Sequence, residues 1–537
     1  MWRNGGDYTP FSVSPAVSAI VYDETHAYAP PVRRFFANGR IPAEVDNYEK
    51  RAGRASVPLI PPLLVGVLAR LVGSPENAFI AADCVFPALL FLLLFALAGG
   101  VNLTWRLLVA WSTLIVSFGI LNSFWLGDHA LIAPLEITRT PQPELSFLVL
   151  LGAAALFARS LRENTGWLWT LLAGIASAAV VYCYYFYTVA WGAALGFALL
   201  LGFLWRRPLL WQRSAITLAI MIALAIPYGL AGLHSTGQRD LLGHVGIFTR
   251  EPRVFSLVIA LLVAVALWRF GRNLRDPLCL VLLLLVLGAI SGMNAHVLTG
   301  YETQPWHFWK RLAVPVAFFL VAEVAARYLE GIRRSRLLAV VALIALLVNS
   351  AARLCVAGYE TAPYQRATDG RISLLKWASS HLPADRVLAT VDPQLILLIP
   401  AITTDYTYVP SGIRSLTTTS EIVDRYYQIA CLLGMTPADI ENAAAVPNHL
   451  GHSTEVLHAL GLTPNGEPAI FHEFVGDYRS AYARCGSPSY RVDYVIVGSD
   501  AEQHSLQRKF PNARELYRNA GFRLFDVGSN RPNGKSY

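Results

Sequence analysis

Charge is what this chain has least of. Only 15% of its 537 residues are Asp, Glu, Lys or Arg, against about 25% in an ordinary soluble protein, and 54% are hydrophobic. That composition excludes a soluble globular enzyme. The net charge of +8 does not imply a nucleic-acid partner, because much of the arginine lies in short connectors between apolar runs, where it orients a membrane protein. Cysteine is sparse and unpatterned. Cys84, Cys183, Cys279, Cys355, Cys431 and Cys485 form no CxxC, so neither a zinc nor a thiol redox motif is indicated. Cys431 and Cys485 fall in the polar C-terminal part, where they either pair in an oxidising compartment or remain buried thiols. GxxxxGK[ST], GxSxG and HExxH are all missing, which removes the usual grounds for nucleotide, serine or zinc hydrolysis. The opening "MWRNGGDYTPFSVSPAVSAIVYDE" has no basic region followed by an unbroken apolar core, so no secretory signal is read there.

Long apolar runs are what the chain has instead. About ten have the length of a spanning helix, for which about 20 residues suffice: roughly 78–98, 105–124, 144–159, 167–183, 186–205, 214–233, 254–270, 276–293, 311–328 and 336–354. The connectors "VNLTWR", "RSLREN", "WRRPLLWQR", "WRFGRNLRD" and "RYLEGIRRSR" are rich in arginine, and the alternating, longer ones are poorer in it. The positive-inside rule puts the first set in the cytoplasm, and residues 1–77, the longer loops and everything after 355 outside. An even number of spans then leaves the N-terminus outside with no apolar segment to carry it there. Either a first helix lies upstream of Met1, which is the favoured reading, or residues 1–20 cross as a short tail. The fold class is thus a polytopic α-helical membrane protein in three parts. Residues 1–77 form an external loop with interfacial helices, 78–355 the membrane domain, and 356–537 an α/β domain outside the membrane, whose tail "GSNRPNGKSY" reads as disordered.

Chemistry belongs at the outer face. In "YDETHAY", Asp23 and Glu24 read as the head of a short helix, where the helix dipole favours acids in any case. "PPVRRFFANG" breaks that helix, restarts it and stops it at Gly39. The Arg33–Arg34 pair reads as surface or lipid-headgroup contact. "VPLIPPLLVGVLARLVGSP", broken by prolines, reads as an interfacial helix rather than a span. This series, "DETHAY" followed by "LIPPLLVGVLARLVGSPENAF", resembles the first external loop of the C-type (GT-C fold) glycosyltransferases, the polytopic enzymes that take sugar from polyprenyl-phosphate carriers. "ITRTPQPELSFLVLLGAAALFARSL", "NAHVLTGYETQPWHFWKRLAVP" and "VDYVIVGSD…ELYRNAGFRLFDV" are similar to later loops and closing strands of that family. The family pattern is eleven spans with a C-terminal extracytoplasmic domain, so a first helix is missing here.

The resemblance implies a sugar transfer with inversion, by direct displacement on the outer face of a bacterial cytoplasmic membrane. The donor would be a polyprenyl-phosphate-linked sugar and the acceptor a glycan, lipid or protein. Such a transfer needs a base for the acceptor proton and positive charge for the departing phosphate. Asp23 is the first candidate base and Glu24 the next, against a capping role for both. Asp128 and Glu136 in "WLGDHALIAPLEITRTPQPE" are the second-loop acids, which in the family hold a divalent metal such as Mg or Mn or orient the acceptor, though some members need no metal. For the phosphate the candidates are Arg311, His307, Lys310 and Arg139. A plain interfacial anchor of Trp306, Trp309, Lys310 and Arg311 is the competing reading. Tyr28, Tyr301, Glu302 and Gln304 are candidates for sugar contact.

Four further features read as structural. Glu144 reads as an ordinary exposed loop acid, and "VYCYYFYTVAW" as an aromatic belt. His449, His452 and His458 match no familiar zinc spacing. Asp83 and Glu323, in or near apolar runs, need partners the sequence does not name. A transporter or flippase for lipid-linked glycans would place its charges near the bilayer midplane instead. That alternative, and a non-catalytic assembly protein of the same fold, stay open.

Overall fold

The computed structural model describes residues 19–52, 58–120, 144–233, 246–253, 276–332, 334–361, 370–412, 415–444, 460, 462 and 468–530. Among the described residues, six helices are long and apolar enough to cross a membrane: Pro75–Leu97, Tyr185–Leu204, Pro208–Leu230, Pro277–Thr299, Pro305–Glu330 and Ser335–Ala352. Three more expected runs form shorter apolar helices, beginning at Leu103, Glu144 and Leu168. The run at 254–270 lies outside the described residues. In chain order the helices are α1 (Ala19–Asn38), α2 (Ile60–Val72), α3 (Pro75–Leu97), α4 (Leu103–Ser112, continued in wide turns Thr113–Ile120), α5 (Glu144–Ser160), α6 (Leu168–Val181), α7 (Tyr185–Leu204), α8 (Pro208–Leu233), α9 (Pro277–Met293), α10 (Pro305–Glu330) and α11 (Ser335–Thr361).

Small residues set the packing of this bundle. A Cβ on Gly288 of α9 would fall 2.1 Å from the Ala190 carbonyl oxygen of α7, so only glycine allows those two helices to approach so closely. The Arg-rich connectors pack on one another. Arg213 donates to the Thr165 and Gly166 carbonyls at 2.8 and 3.1 Å and to Thr170 Oγ1 at 2.6 Å. The Asn102 side chain donates to Glu330 at 2.6 Å. Glu323 finds its partner one turn along the same helix, in Arg327 at 2.5 Å.

Two helices depart from the sequence reading. α1 is one helix of 20 residues that runs through Pro30 and Pro31, although each proline removes an N–H from the ladder. Asp23 and Glu24 therefore lie beyond its first turn, and no acid occupies the helix head. It stops at Gly39, whose φ of +71° suits a helix-ending glycine. In α2 the prolines begin the helix rather than break it: Pro61 and Pro62 occupy its first turn, where the missing N–H groups would have had no helical partner anyway. Gly66 lets α2 lie flat on α1, since a Cβ there would reach within 2.5 Å of the Phe35 ring. Pro61, Pro62, Val65 and Ala69 are buried while Leu63, Leu64, Val67 and Leu71 remain exposed, the two apolar faces an interfacial helix needs.

Residues 370–530 build a mixed sheet of five strands in the order β4-β3-β5-β7-β6. A two-stranded ribbon, β1 (Gly246–Phe248) with β2 (Tyr301–Thr303), belongs to the helical part. In the sheet, β3 (Val387–Ala389), β4 (Tyr406–Thr407) and β5 (Val492–Val497) are parallel, and β6 (Arg514–Arg518) and β7 (Arg523–Asn530) close it antiparallel. β5 is buried along its whole length, as the central position demands. Helices α12 (Arg371–His381), α13 (Pro393–Ile402), α14 (Thr419–Leu432), α15 (Pro437–Ala444), α16 (Pro468–Tyr482) and α17 (Asp500–Lys509) surround it. Of the two readings for Cys431 and Cys485, the pair is the one present, with Cα atoms 6.0 Å apart.

The sheet does not stand alone. Ala29 and Val32 of α1, Val65 and Ala69 of α2, and Ala78, Phe79, Ala82 and Phe86 of α3 share one apolar cluster with Leu375, Leu398, Ile496 and Leu524. The Arg33–Arg34 pair is the polar part of the same junction, not a surface or headgroup contact. Arg33 donates to the Ala401 carbonyl at 2.8 Å and pairs with Glu76. Arg34, 2% exposed, pairs with Asp385 and lies over the Tyr406 ring. Further along the loop, Glu44 is buried and accepts from Ser415 Oγ and the Leu416 N–H, both at 2.9 Å. Burial pushes its carboxyl above the usual range. Arg425 completes the junction, bonded to Glu49 at 3.1 Å and Glu421 at 2.9 Å.

Candidate active site

α1 carries the two acids of the first loop, and α2 ties that loop to the bundle. The Ile60 N–H donates to the Tyr182 carbonyl at 3.1 Å, so α2 starts at the turn between α6 and α7. Tyr28, half-buried, packs against the cluster that α1 shares with the sheet. The side chains of Asp23 and Glu24 lie outside the described residues, as do Asp128, Glu136 and Arg139.

The cations expected before α10 separate into two groups. Lys310 lies 5.8 Å from the centroid of the exposed Trp306, while Trp309, expected in the same anchor, is buried. His307 and Arg311 are four residues apart and so share a helix face. Arg311 is 5% exposed, and its Nη1 donates to the Tyr184 hydroxyl at 2.7 Å. The same hydroxyl meets His307 Nδ1. Phe186 packs on the His307 ring at 4.4 Å. Pro305 opens the helix in its first turn, and Trp309–Ala313 take wide, π-helical turns, a local form common at functional sites. Pro315 has no N–H to give the carbonyl four residues back. That carbonyl is Arg311's, and the Tyr187 hydroxyl donates to it at 2.8 Å.

Tyr184 was not singled out from the sequence, and the aromatic-belt reading needs correction there. Tyr184, Tyr187 and Trp191 are buried, and Tyr185 is the exposed member at 57%. The usable signal was the i, i+3 spacing of Tyr184 and Tyr187, which puts both on one face of the helix that follows.

Glu302 is placed otherwise than a sugar ligand requires. It is 2% exposed and takes both ends of the Arg253 guanidinium, at 2.7 and 2.6 Å. That bond holds Arg253 charged above even its ordinary range and pins the β1–β2 ribbon. Tyr301 and Gln304 flank it, both half-buried. Gln304 has a φ of +22°, a region disfavoured for a residue with a side chain, just before the helix that carries His307. Glu144 is fully buried in the first turn of α5 rather than exposed. Asp83 is exposed.

Among the described residues no group of three or more His, Cys, Asp and Glu is placed to hold a metal. The acids expected to hold one, Asp128 and Glu136, lie outside the described residues, as do His449, His452 and His458.

No protein-family model and no curated protein matches the sequence. Solved structures do. An oligosaccharyltransferase of Archaeoglobus fulgidus, tethered to an acceptor peptide, aligns with a TM-score of 0.46 at 10% identity, over 94% of this chain and 70% of that one. The oligosaccharyltransferase AglB from Archaeoglobus fulgidus, in complex with an inhibitory peptide and a dolichol-phosphate, aligns at 0.44 and 11% identity, over 95% and 71%. ArnT from Cupriavidus metallidurans, bound to undecaprenyl phosphate, aligns at 0.41 and 11%, over 97% and 95%.

Proposed function

We propose that the protein is an integral-membrane glycosyltransferase that moves a sugar from a polyprenyl-phosphate carrier to an acceptor at the outer face of the cytoplasmic membrane. The observation that carries this reading is the buried Arg311, held by Tyr184 beside His307, next to the turn on which α2 begins. A guanidinium kept in place at that end of an apolar bundle suits an anionic headgroup whose tail runs into lipid. α1, which carries Asp23 and Glu24, packs on α2 through Phe35 and Gly66.

In the reaction, Asp23, with Glu24 next, takes the proton of the acceptor hydroxyl. The acceptor oxygen attacks the anomeric carbon, the bond from that carbon to the phosphate oxygen breaks, and configuration inverts. The lipid phosphate leaves with its charge met by Arg311 and hydrogen-bonded by His307. A positioned base contributes on the order of 10²–10⁴ in rate. Asp128 or Glu136 orients the acceptor from the second loop, and Arg139 is a second phosphate candidate there. Tyr28, Tyr301 and Gln304 remain the candidates for sugar contact. The part built from residues 370–530 covers or selects the acceptor.

The test is transfer from a panel of radiolabelled polyprenyl-phosphate sugars by the purified protein in lipid, wild type beside Asp23→Asn. Transfer by the wild type that falls by about 10² or more in the variant supports both the reaction and its base. Equal transfer by both moves the base to Glu24 or the second loop. No transfer from any donor, with scrambling of lipid-linked glycan instead, makes the protein a transporter.

A further inference from the structure

The turn that leads into α7 puts neighbouring phenols in opposite surroundings. Tyr184 and Tyr187 are buried and hydrogen-bonded to Arg311. Tyr185, between them, is 57% exposed. Successive helix residues point about 100° apart, so the face that meets Arg311 does not hold Tyr185. Its ring is nonetheless seated. It meets Phe186 edge-on at 5.5 Å, and Phe186 packs on the His307 imidazole at 4.4 Å and on Phe308 at 5.2 Å. Tyr301 of β2 is near as well: burial, and then the Tyr185 phenol, raise its hydroxyl above the ordinary range. Tyr185 thus stands one ring beyond His307 and close to the β1–β2 ribbon. Trp306, equally exposed at 57%, faces Lys310 instead.

We infer that Tyr185 is a sugar-reading residue, its ring the platform on which one face of the donor's pyranose stacks. This rests on the function proposed above and deepens it. In a polyprenyl-phosphate sugar, one phosphate oxygen is also the anomeric oxygen. A phosphate held at Arg311 and His307 therefore brings the sugar ring within a few bonds of the imidazole, the neighbourhood that Tyr185 occupies. Arginine and histidine bind the phosphate, but they have no means of reading the sugar ring attached to it. An exposed phenol has one. The axial C–H bonds on one face of a pyranose are slightly positive, and the face of an aromatic ring is negative. The phenol oxygen, at the edge of the ring, both donates and accepts, and so suits a sugar hydroxyl. Recognition then divides, with the phosphate read at α10 and the sugar at the start of α7.

The experiment measures binding to the full chain in lipid nanodiscs. The probes are undecaprenyl phosphate and its glucosyl, galactosyl and mannosyl esters. Tyr185→Leu should weaken the best-bound ester about fivefold, the loss of one ring contact, and leave the bare phosphate bound as in the wild type. Tyr185→Phe, which keeps the ring, should retain most of the ester affinity. Trp306→Leu should change neither ligand. Unchanged ester binding in Tyr185→Leu overturns the inference. So does equal weakening of ester and bare phosphate, which makes Tyr185 a lipid contact, or an equal loss in Trp306→Leu. A wild type that binds undecaprenyl phosphate but none of the esters refutes the sugar platform and leaves the phosphate reading standing. One that binds neither ends both.

Discussion

Two buried arginines show how differently the two halves of this molecule use the same side chain. Arg425, 1% exposed, meets carboxylates: Glu421 at 2.9 Å and Glu49 at 3.1 Å, with the Tyr408 carbonyl at 3.1 Å and the Tyr490 ring 3.5 Å away. Arg311, 5% exposed, donates to a phenol. Carboxylates cancel a guanidinium's charge as they hold it, and such a residue can only be a clasp. The phenol that Arg311 meets is a neutral acceptor, with no charge of its own to set against the guanidinium. Arg425 joins residues 44–51 to the sheet, and Arg311 presents a cation at the end of the bundle.

The comparison breaks most visibly at Arg425. Arg425→Met leaves Glu49 without this cation and Glu421 with Lys50 alone, at 2.8 Å. Removing one partner of a buried ion network costs about 3–5 kcal/mol, so a loss of about 4 kcal/mol is expected in denaturant unfolding of the protein in lipid. Proteolysis within residues 44–51 should rise with it. If stability is unchanged, Arg425 is not the clasp.

Asp405 tests the same junction at its other end. Burial pushes its carboxyl up to about 6 from an ordinary 3.8, against a smaller opposing pull from the Arg386 N–H and Arg34. Between about pH 4 and 6 the folded protein holds a proton there that the unfolded chain has lost. Stability therefore falls as pH rises through that window, by up to about 3 kcal/mol for two pKa units. Asp405→Asn should flatten the profile and stabilise the protein at neutral pH. A profile identical to wild type would show that Asp405 ionises as it does in water.

At Arg311 the expected effects are on binding rather than stability. Arg311→Met removes the hydrogen bond to the Tyr184 phenol, and the affinity for undecaprenyl phosphate falls by about tenfold or more. Arg425→Met should show the reverse pattern, a large stability loss with binding retained in the folded fraction. Equal effects on binding would erase the distinction between clasp and cation.

The sequence made part of this legible. The described spans follow the apolar runs because hydropathy over about 20 residues is a local property, and Arg311 and His307 lie on one face because i, i+4 spacing is local too. Arg34 looked like a surface residue because its partners, Asp385 and Tyr406, are more than 350 residues away. Glu302 looked like a sugar ligand for the same reason: the cation it holds comes from another loop. The prolines misled in a different way. A proline in a helix interior and one in its first turn read alike until the helix start is known, and Pro61 and Pro62 proved to be the start. The apolar run that gave no warning of Tyr184's role placed a hydroxyl between two groups that the cation pattern had already marked.

The smallest effect is expected at Glu302, where a clasp like that of Arg425 stands beside the site itself. Arg253 is about half exposed, its side chain at 45%, so water can take over much of what the carboxylate provides. Glu302→Gln should cost about 1 kcal/mol, seen as faster amide exchange in 246–248 and 301–303, the paired residues of the ribbon. Sugar transfer should change only as far as Gln304 and the start of α10 shift with the ribbon, an effect on donor KM more than on kcat. Transfer abolished with the ribbon's exchange unaltered would return Glu302 to the sugar. The contrast between carboxylate-bound and phenol-bound arginines would then fail where the two come closest in sequence to the proposed chemistry.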